Sequence, residues 1–191
     1  MERKRKIILV TDGDKKARKA IEVAAKNIGG RCISRSAGNP TILSGEEIVD
    51  LVVTAKYDPV VVMVDDKGNP GFGIGEQALM DIVKDNRVKI LGVVAVASNT
   101  EGVSGVEVNF SIDGNGKLVK SGVDKNGDVI KEKKIYGDTV DIIDGFDFPV
   151  IVGIGDVGKM RGHDCCEKGA PIITKAFEEI LERNETLYED V

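Results

Sequence analysis

The segment "GIGDVGKM", Gly153 to Met160, follows the apolar run "FPVIV" and carries two phosphate-binding spacings at once. Gly153, Gly155 and Gly158 match the G-x-G-x-x-G of dinucleotide folds, while Gly153, Gly158 and Lys159 match the G-x-x-x-x-G-K of the P-loop. Neither match extends to its surroundings. A P-loop lysine is followed by Ser or Thr, whose hydroxyl reaches Mg²⁺, and here Met160 follows. The dinucleotide motif needs a further strand with an acidic residue about 20 positions on, and only one helical pattern remains before the end of the sequence. What survives is a set of glycines that let backbone N–H groups approach a ligand, next to one cation. Gly153, Gly155, Asp156, Gly158 and Lys159 are therefore a candidate site for a small anion, with a tight strand-to-helix connection as the competing explanation.

A second group of residues is acidic. "TDGD" holds Asp12 and Asp14, "DDKGNPGFGIGE" holds Asp65, Asp66 and Glu76, and Asp156 sits in the glycine segment. Each follows an apolar strand pattern, and in open α/β sheets ligands bind beyond the carboxyl ends of the strands. Carboxylates gathered there raise one another's pKa unless a cation compensates, and a hard ion such as Mg²⁺ does so. Asp12, Asp14, Asp65 and Asp66 are the candidate metal ligands, and Mg²⁺ is the candidate cofactor. The competing explanation is structural, since Asp commonly caps helices and closes turns. An acidic residue after the first strand and an Asp pair after the third is similar to the Toprim fold of topoisomerases and primases, whose acidic residues hold Mg²⁺. The contiguous Asp65 and Asp66 depart from the Asp-x-Asp spacing of that fold, because neighbours on an extended chain point to opposite faces.

Thiol chemistry has little to stand on. Cys32, Cys165 and Cys166 are an odd number with two adjacent, which suits a reducing compartment better than a disulfide framework. "HDCC", around His163, lacks a second ligand pair for zinc.

The elements that position these residues are legible from periodicity. "KIILV" reads as a buried strand, and Ala17, Ala20, Ile21, Ala24, Ala25 and Ile28 behind it recur at helical spacing. "RCIS" is a short second strand. Ser44, with Glu47 three residues on, opens a second helix, and "PVVVMV" is a third strand, apolar on both faces. A helix through Ala78, Leu79, Ile82 and Val83 leads to the strand "VKILGVVAVAS". From Val106 to Ile143 the pattern changes to short strands, "VEVNFSI", "KLVKSGV" and "DVIKEKKI", separated by the turns "DGNG" and "DKNGD". "FPVIVGI" returns to a buried strand, and Pro171 opens a last helix. The expectation is a single α/β domain over residues 1–191, with a Rossmann-like or Toprim-like mainly parallel sheet flanked by helices. Residues 106–143 are expected to be a β-rich antiparallel insertion that adds little to the sheet core.

At 191 residues, 41% apolar and 31% charged, the chain suffices for one buried core. Its 27 basic and 32 acidic side chains are interspersed, so no overall field favours nucleic acid, and none is expected as a partner. No apolar run reaches the roughly 20 residues of a membrane span, and a cytoplasmic location is expected.

Taken together, "ILVTDGD", "GGRCISRSAGNPTILSG", "VMVDDKGNPGFGIGEQAL" and "VGIGDVGKM" with "GAPI" resemble the soluble stage V sporulation protein AE family of endospore-forming bacteria. The resemblance runs over nearly the whole chain. That family is encoded beside the membrane proteins that move dipicolinic acid, as its calcium chelate, into the forming spore and out of it at germination. It implies a non-enzymatic accessory in sporulation or germination, with those membrane proteins as partners and a place peripheral to the spore inner membrane. The resemblance carries over no catalytic residue set. Residues 106–143 are a candidate contact surface, or the seam of a homo-oligomer. The alternative function is a Mg²⁺-dependent Toprim-like phosphoryl or phosphodiester enzyme, for which Asp12, Asp65 and Asp66 must converge on one point. Met160 alone sets one outcome: purified protein is expected to release no phosphate from ATP or GTP at enzymatic rates, and turnover abolished by Lys159→Ala would overturn this.

Overall fold

Four largely buried parallel strands at the centre of one sheet organise the molecule. The structure is a computed structural model and describes residues 3–67, 73–99, 102–137 and 139–189. The "GNPGF" portion of the segment that follows the third strand, and Thr100 and Glu101, lie outside these. In chain order the elements are β1 (Arg5–Val10), α1 (Lys15–Asn27), β2 (Arg31–Cys32), α2 (Gly45–Val53), β3 (Val60–Met63), α3 (Ile74–Lys84) and β4 (Val88–Val96). Then come β5 (Val106–Glu107), β6 (Phe110–Ile112), β7 (Leu118–Val119), β8 (Lys134–Ile135), β9 (Ile151–Ile154) and α4 (Pro171–Glu189).

Seven strands form one sheet in the order β2-β3-β1-β4-β9-β6-β7, every pairing parallel except β6 with β7. β1 is central. Ile7, Ile8, Leu9 and Val10 are fully buried, alternating between the two faces, as a continuous apolar run with a neighbour on each side requires. α1 and α4 pack together over the face that holds Ile8 and Val10, and α2 and α3 over the face that holds Ile7 and Leu9. Parallel strands with helices on both sides confirm the α/β class expected from the sequence.

The segment 106–143 contributes more to the sheet than its pattern suggests. "VEVNFSI" reads as one strand but is divided between two sheets: β5 pairs antiparallel with β8 in a separate two-stranded sheet, while β6 joins the main sheet beside β9. Asn109 makes the division. Its backbone N–H donates to the Ile151 carbonyl at 2.9 Å and its side chain accepts from the Ile151 N–H at 2.7 Å, which draws the chain against β9. Val106, Val108, Ile135, Val140 and Ile143 are buried in the core on the α2 and α3 side. The two expected turns are present. The Asp113 carboxylate accepts from the N–H groups of Asn115 and Lys117, and Asp124 does the same for Asn126 and Asp128, the local bonding that makes Asp a turn residue.

α4 is opened from a distance. Asp164 of "HDCC" is fully buried and accepts from the N–H groups of Ile172 at 2.8 Å, Ile173 at 3.1 Å and Gly158 at 3.3 Å. The bonds to Ile172 and Ile173 satisfy first-turn amides that have no partner inside the helix. Burial raises its pKa against those bonds. Asp164→Ala leaves the amides buried and unpaired, and should destabilise the protein by about 1 to 3 kcal/mol. The check is urea denaturation, with the midpoint lowered at constant slope.

Candidate functional site

Because the central strands run parallel, the residues just past their carboxyl ends all emerge at one edge. Asp12 comes two residues after β1, Asp65 two after β3 and Asp156 two after β9, so all three stand at the carboxyl rim. Thr11 prepares the rim: its N–H donates to the Val94 carbonyl and its hydroxyl accepts from the Val96 N–H, which fixes the chain leaving β1 against β4.

Asp12, Asp14 and Asp156 come together, with one carboxylate oxygen from each lying within 4.8 Å of the others. Asp14 also caps α1, accepting from the N–H groups of Lys16 at 2.7 Å and Ala17 at 2.9 Å. Asp12 accepts from the Asp14 N–H at 3.1 Å. The Lys159 ammonium lies 2.8 Å from Asp14 Oδ2 and 3.0 Å from Asp156 Oδ1, joining the first βα connection to the last. At about a third exposed, each of these ion pairs contributes about 1 kcal/mol or less.

Electrostatics separates the three carboxyls. Burial, followed by the charges of Asp14, Asp65 and Asp156, pushes Asp12 up to about 7. Burial also raises Asp156, outweighing the ammonium beside it. Burial opposes the ionisation of Asp14 as well, but Lys159 and the helix amides overcome it and hold Asp14 below the usual range. Lys159 is itself held above its ordinary value: its bonds to Asp14 and Asp156 overcome the effect of burial.

The Asp65 and Asp66 pair diverges. Asp65 Oδ1 accepts from the Lys67 N–H at 2.9 Å and lies 3.4 Å from the Thr139 hydroxyl, while the Asp65 N–H donates to the Thr41 hydroxyl. Asp66 turns the other way: Oδ1 accepts from the Gly75 N–H at 2.7 Å and Oδ2 from the Glu76 N–H at 3.1 Å, closing the first turn of α3. Of the sequence candidates for metal, Asp12 and Asp14 are brought together, but their third partner is Asp156, read in the sequence as part of the anion set.

The glycines of "GIGDVGKM" are placed by packing. A side chain on Gly153 would meet the Ser111 hydroxyl at 2.5 Å and Ile135 at 2.6 Å, and one on Gly155 would meet Gly127 N and Met160 Sδ at 2.7 Å. Gly158 has φ +72°, and a Cβ there would lie 2.7 Å from the Lys16 carbonyl oxygen. The spacing therefore fits the loop under the insertion and onto the first turn of α1. Amides of the loop are engaged too, with Asp156 N–H donating to the Lys125 carbonyl and Gly158 N–H to Asp164.

A family model described as stage V sporulation protein AE1 matches residues 6–184. The chain belongs to the stage V sporulation protein AE1 family. The family makes this a sporulation-related protein, and the matched span runs from β1 into α4, with the rim carboxylates, Lys159 and the insertion inside it. No curated protein and no solved structure matches the chain. Among the described residues, no helix is long and apolar enough to cross a membrane.

The raised Asp12 pKa makes stability depend on pH. Between the unfolded value of 3.8 and the folded value of about 7, the folded state binds the proton that the unfolded state has lost, so stability falls as pH rises through this window. Asp12→Asn keeps the acceptor for the Asp14 amide and removes the titration. At about 1.4 kcal/mol per pKa unit, this variant should exceed wild type at pH 8 by on the order of 2 to 4 kcal/mol. Denaturation at pH 4 and pH 8 checks it, with the gap closing at the lower pH.

Proposed function

We propose that this protein is a non-enzymatic accessory of sporulation and spore germination that acts by contact with the membrane proteins moving dipicolinic acid. In this reading it works from the cytoplasmic side, peripheral to the spore inner membrane. The observation that carries the non-enzymatic part is the engagement of the rim: both oxygens of Asp66 hold the start of α3, and Lys159 stands against Asp14 and Asp156. This arrangement commits Asp66 to the start of α3 and Lys159 to two rim carboxylates, and leaves the Asp65 and Asp66 pair without a shared point for a metal. A small anion at the glycine loop would compete with Asp14 and Asp156 for Lys159. The family supports a role in sporulation, and its association with the dipicolinic acid assembly is what the sequence resemblance implies.

A second reading draws on the trio of Asp12, Asp14 and Asp156, whose spacing suits a hard cation. Mg²⁺ there, serving phosphoryl or phosphodiester chemistry, would have to displace the Lys159 ammonium. Deleting the gene in its spore-forming host separates the readings. The expected result is lower spore dipicolinate content or slower germination with unchanged vegetative growth, and rescue by an Asp156→Asn allele. Normal spores from the deletion strain would overturn the accessory role. Failure of a stably expressed Asp156→Asn protein to rescue would favour the enzyme.

A further inference from the structure

The end of the sheet away from the insertion is built differently from the acidic rim. β2 is the edge strand, and its parallel ladder engages only alternate residues: Arg31 N–H donates to the Pro59 carbonyl and Ile33 N–H to the Val61 carbonyl, both at 2.9 Å. The N–H and C=O of Cys32, between them, point away from β3 toward the open edge. Two hollows flank this strand. One, of about 600 Å³, lies on the α1 side and includes Lys26, and the other, of about 480 Å³, lies on the α2 side and includes Arg35 and Lys56. Arg31, Cys32, Ser34 and Tyr57 line both, so the hollows form one slot along the strand edge.

The slot is basic in a protein of net charge −5. Lys26, Arg31, Arg35 and Lys56 are exposed, and none of them is in an ion pair among the described residues. The one carboxylate lining it, Glu22, is 3.6 Å from Arg18. Lys26 stands in the last turn of α1, where a cation suits the helix dipole, while Lys56 lies three residues beyond the end of α2. Arg5 donates to the carbonyls of Ala55 and Tyr57 at 2.7 Å each, which leaves Lys56 over the Tyr57 ring at 5.8 Å. Tyr57 is 51% exposed.

We infer that the β2 edge is a docking slot for an extended, acidic segment of a partner protein, which adds to the sheet as a further strand. The open Cys32 amide and carbonyl supply main-chain bonding, and the cations on either side select carboxylates. A second copy of this chain would bring the same cations against themselves, and a lipid surface would meet a concave slot, so an acidic peptide fits best. The inference rests on the reading of the protein as one that acts by contact, and it names the chemistry of the contact.

Fluorescence anisotropy with a labelled ten-residue peptide alternating glutamate and threonine tests it on the full chain. Binding is expected, weakening with salt, with at least a tenfold loss in the double variant Arg31→Glu, Lys56→Glu. Lys26→Glu, a milder change confined to the α1 side, should lose at least threefold. Alternate amides of an added strand face the sheet, so N-methylation in one register should abolish binding and in the other register spare it. No binding, equal binding of a lysine-for-glutamate peptide, or indifference to N-methylation in both registers would overturn the slot. So would binding confined to phosphatidylglycerol vesicles. Because the assay uses purified protein, a silent slot beside a clear deletion phenotype removes the slot and leaves the accessory role, and the reverse result does the opposite.

Discussion

β1 has a strand on each side and a helical layer on each face, and everything at the rim depends on that enclosure. No polar side chain fits along Ile7 to Val10 without a buried partner, so the first places for charge are the ends of the strand. β3 and β9 obey the same constraint and run the same way, so their first polar residues arrive at the same edge. The rim is acidic because several strands finish there together, and Lys159 makes the resulting repulsion tolerable.

The same edge is where α1, α3 and α4 begin, and each begins at an aspartate. Asp14 caps its own helix, Asp66 holds amides of α3 that stand nine and ten positions on, and Asp164 holds amides of α4 that stand eight and nine positions on. Carboxylates suit this task because the amino end of a helix carries partial positive charge and unpaired donors. The acid-rich rim of this protein is therefore built first as a set of helix starts. The cluster of Asp12, Asp14 and Asp156 grows out of that construction.

What the sequence disclosed and what it withheld divide along the distance of the interactions. The central strands, the capping box of Ser44 and Glu47 and the helix opened by Pro171 each carry their signature in the order of neighbouring residues, and periodicity revealed them although their partners lie far along the chain. The break of "VEVNFSI" at Asn109 depends on Ile151, 42 positions away. The meeting of Lys159 with Asp14 spans 145 positions. The glycine spacing of "GIGDVGKM" was visible and looked like phosphate chemistry, yet Ser111, Met160 and Lys16, which require those glycines, are brought against them only in the folded molecule. Asp164 was hidden inside an apparent cysteine motif, and only its bonds to the Ile172 and Ile173 amides mark it as the residue that opens α4.

The strand order also governs how the chain is assembled during synthesis. β2, β3, β1 and β4 are all translated before β5, and they can pair as they emerge. The outer edge of β4 then waits for β9, and β6 and β7, although made earlier than β9, have no place in the main sheet until it arrives. An open edge on a half-built sheet is a template for pairing with any other extended chain. In a cell building a spore, the ribosome's passage from β4 to β9 is thus the interval in which this protein most needs shelter from its neighbours.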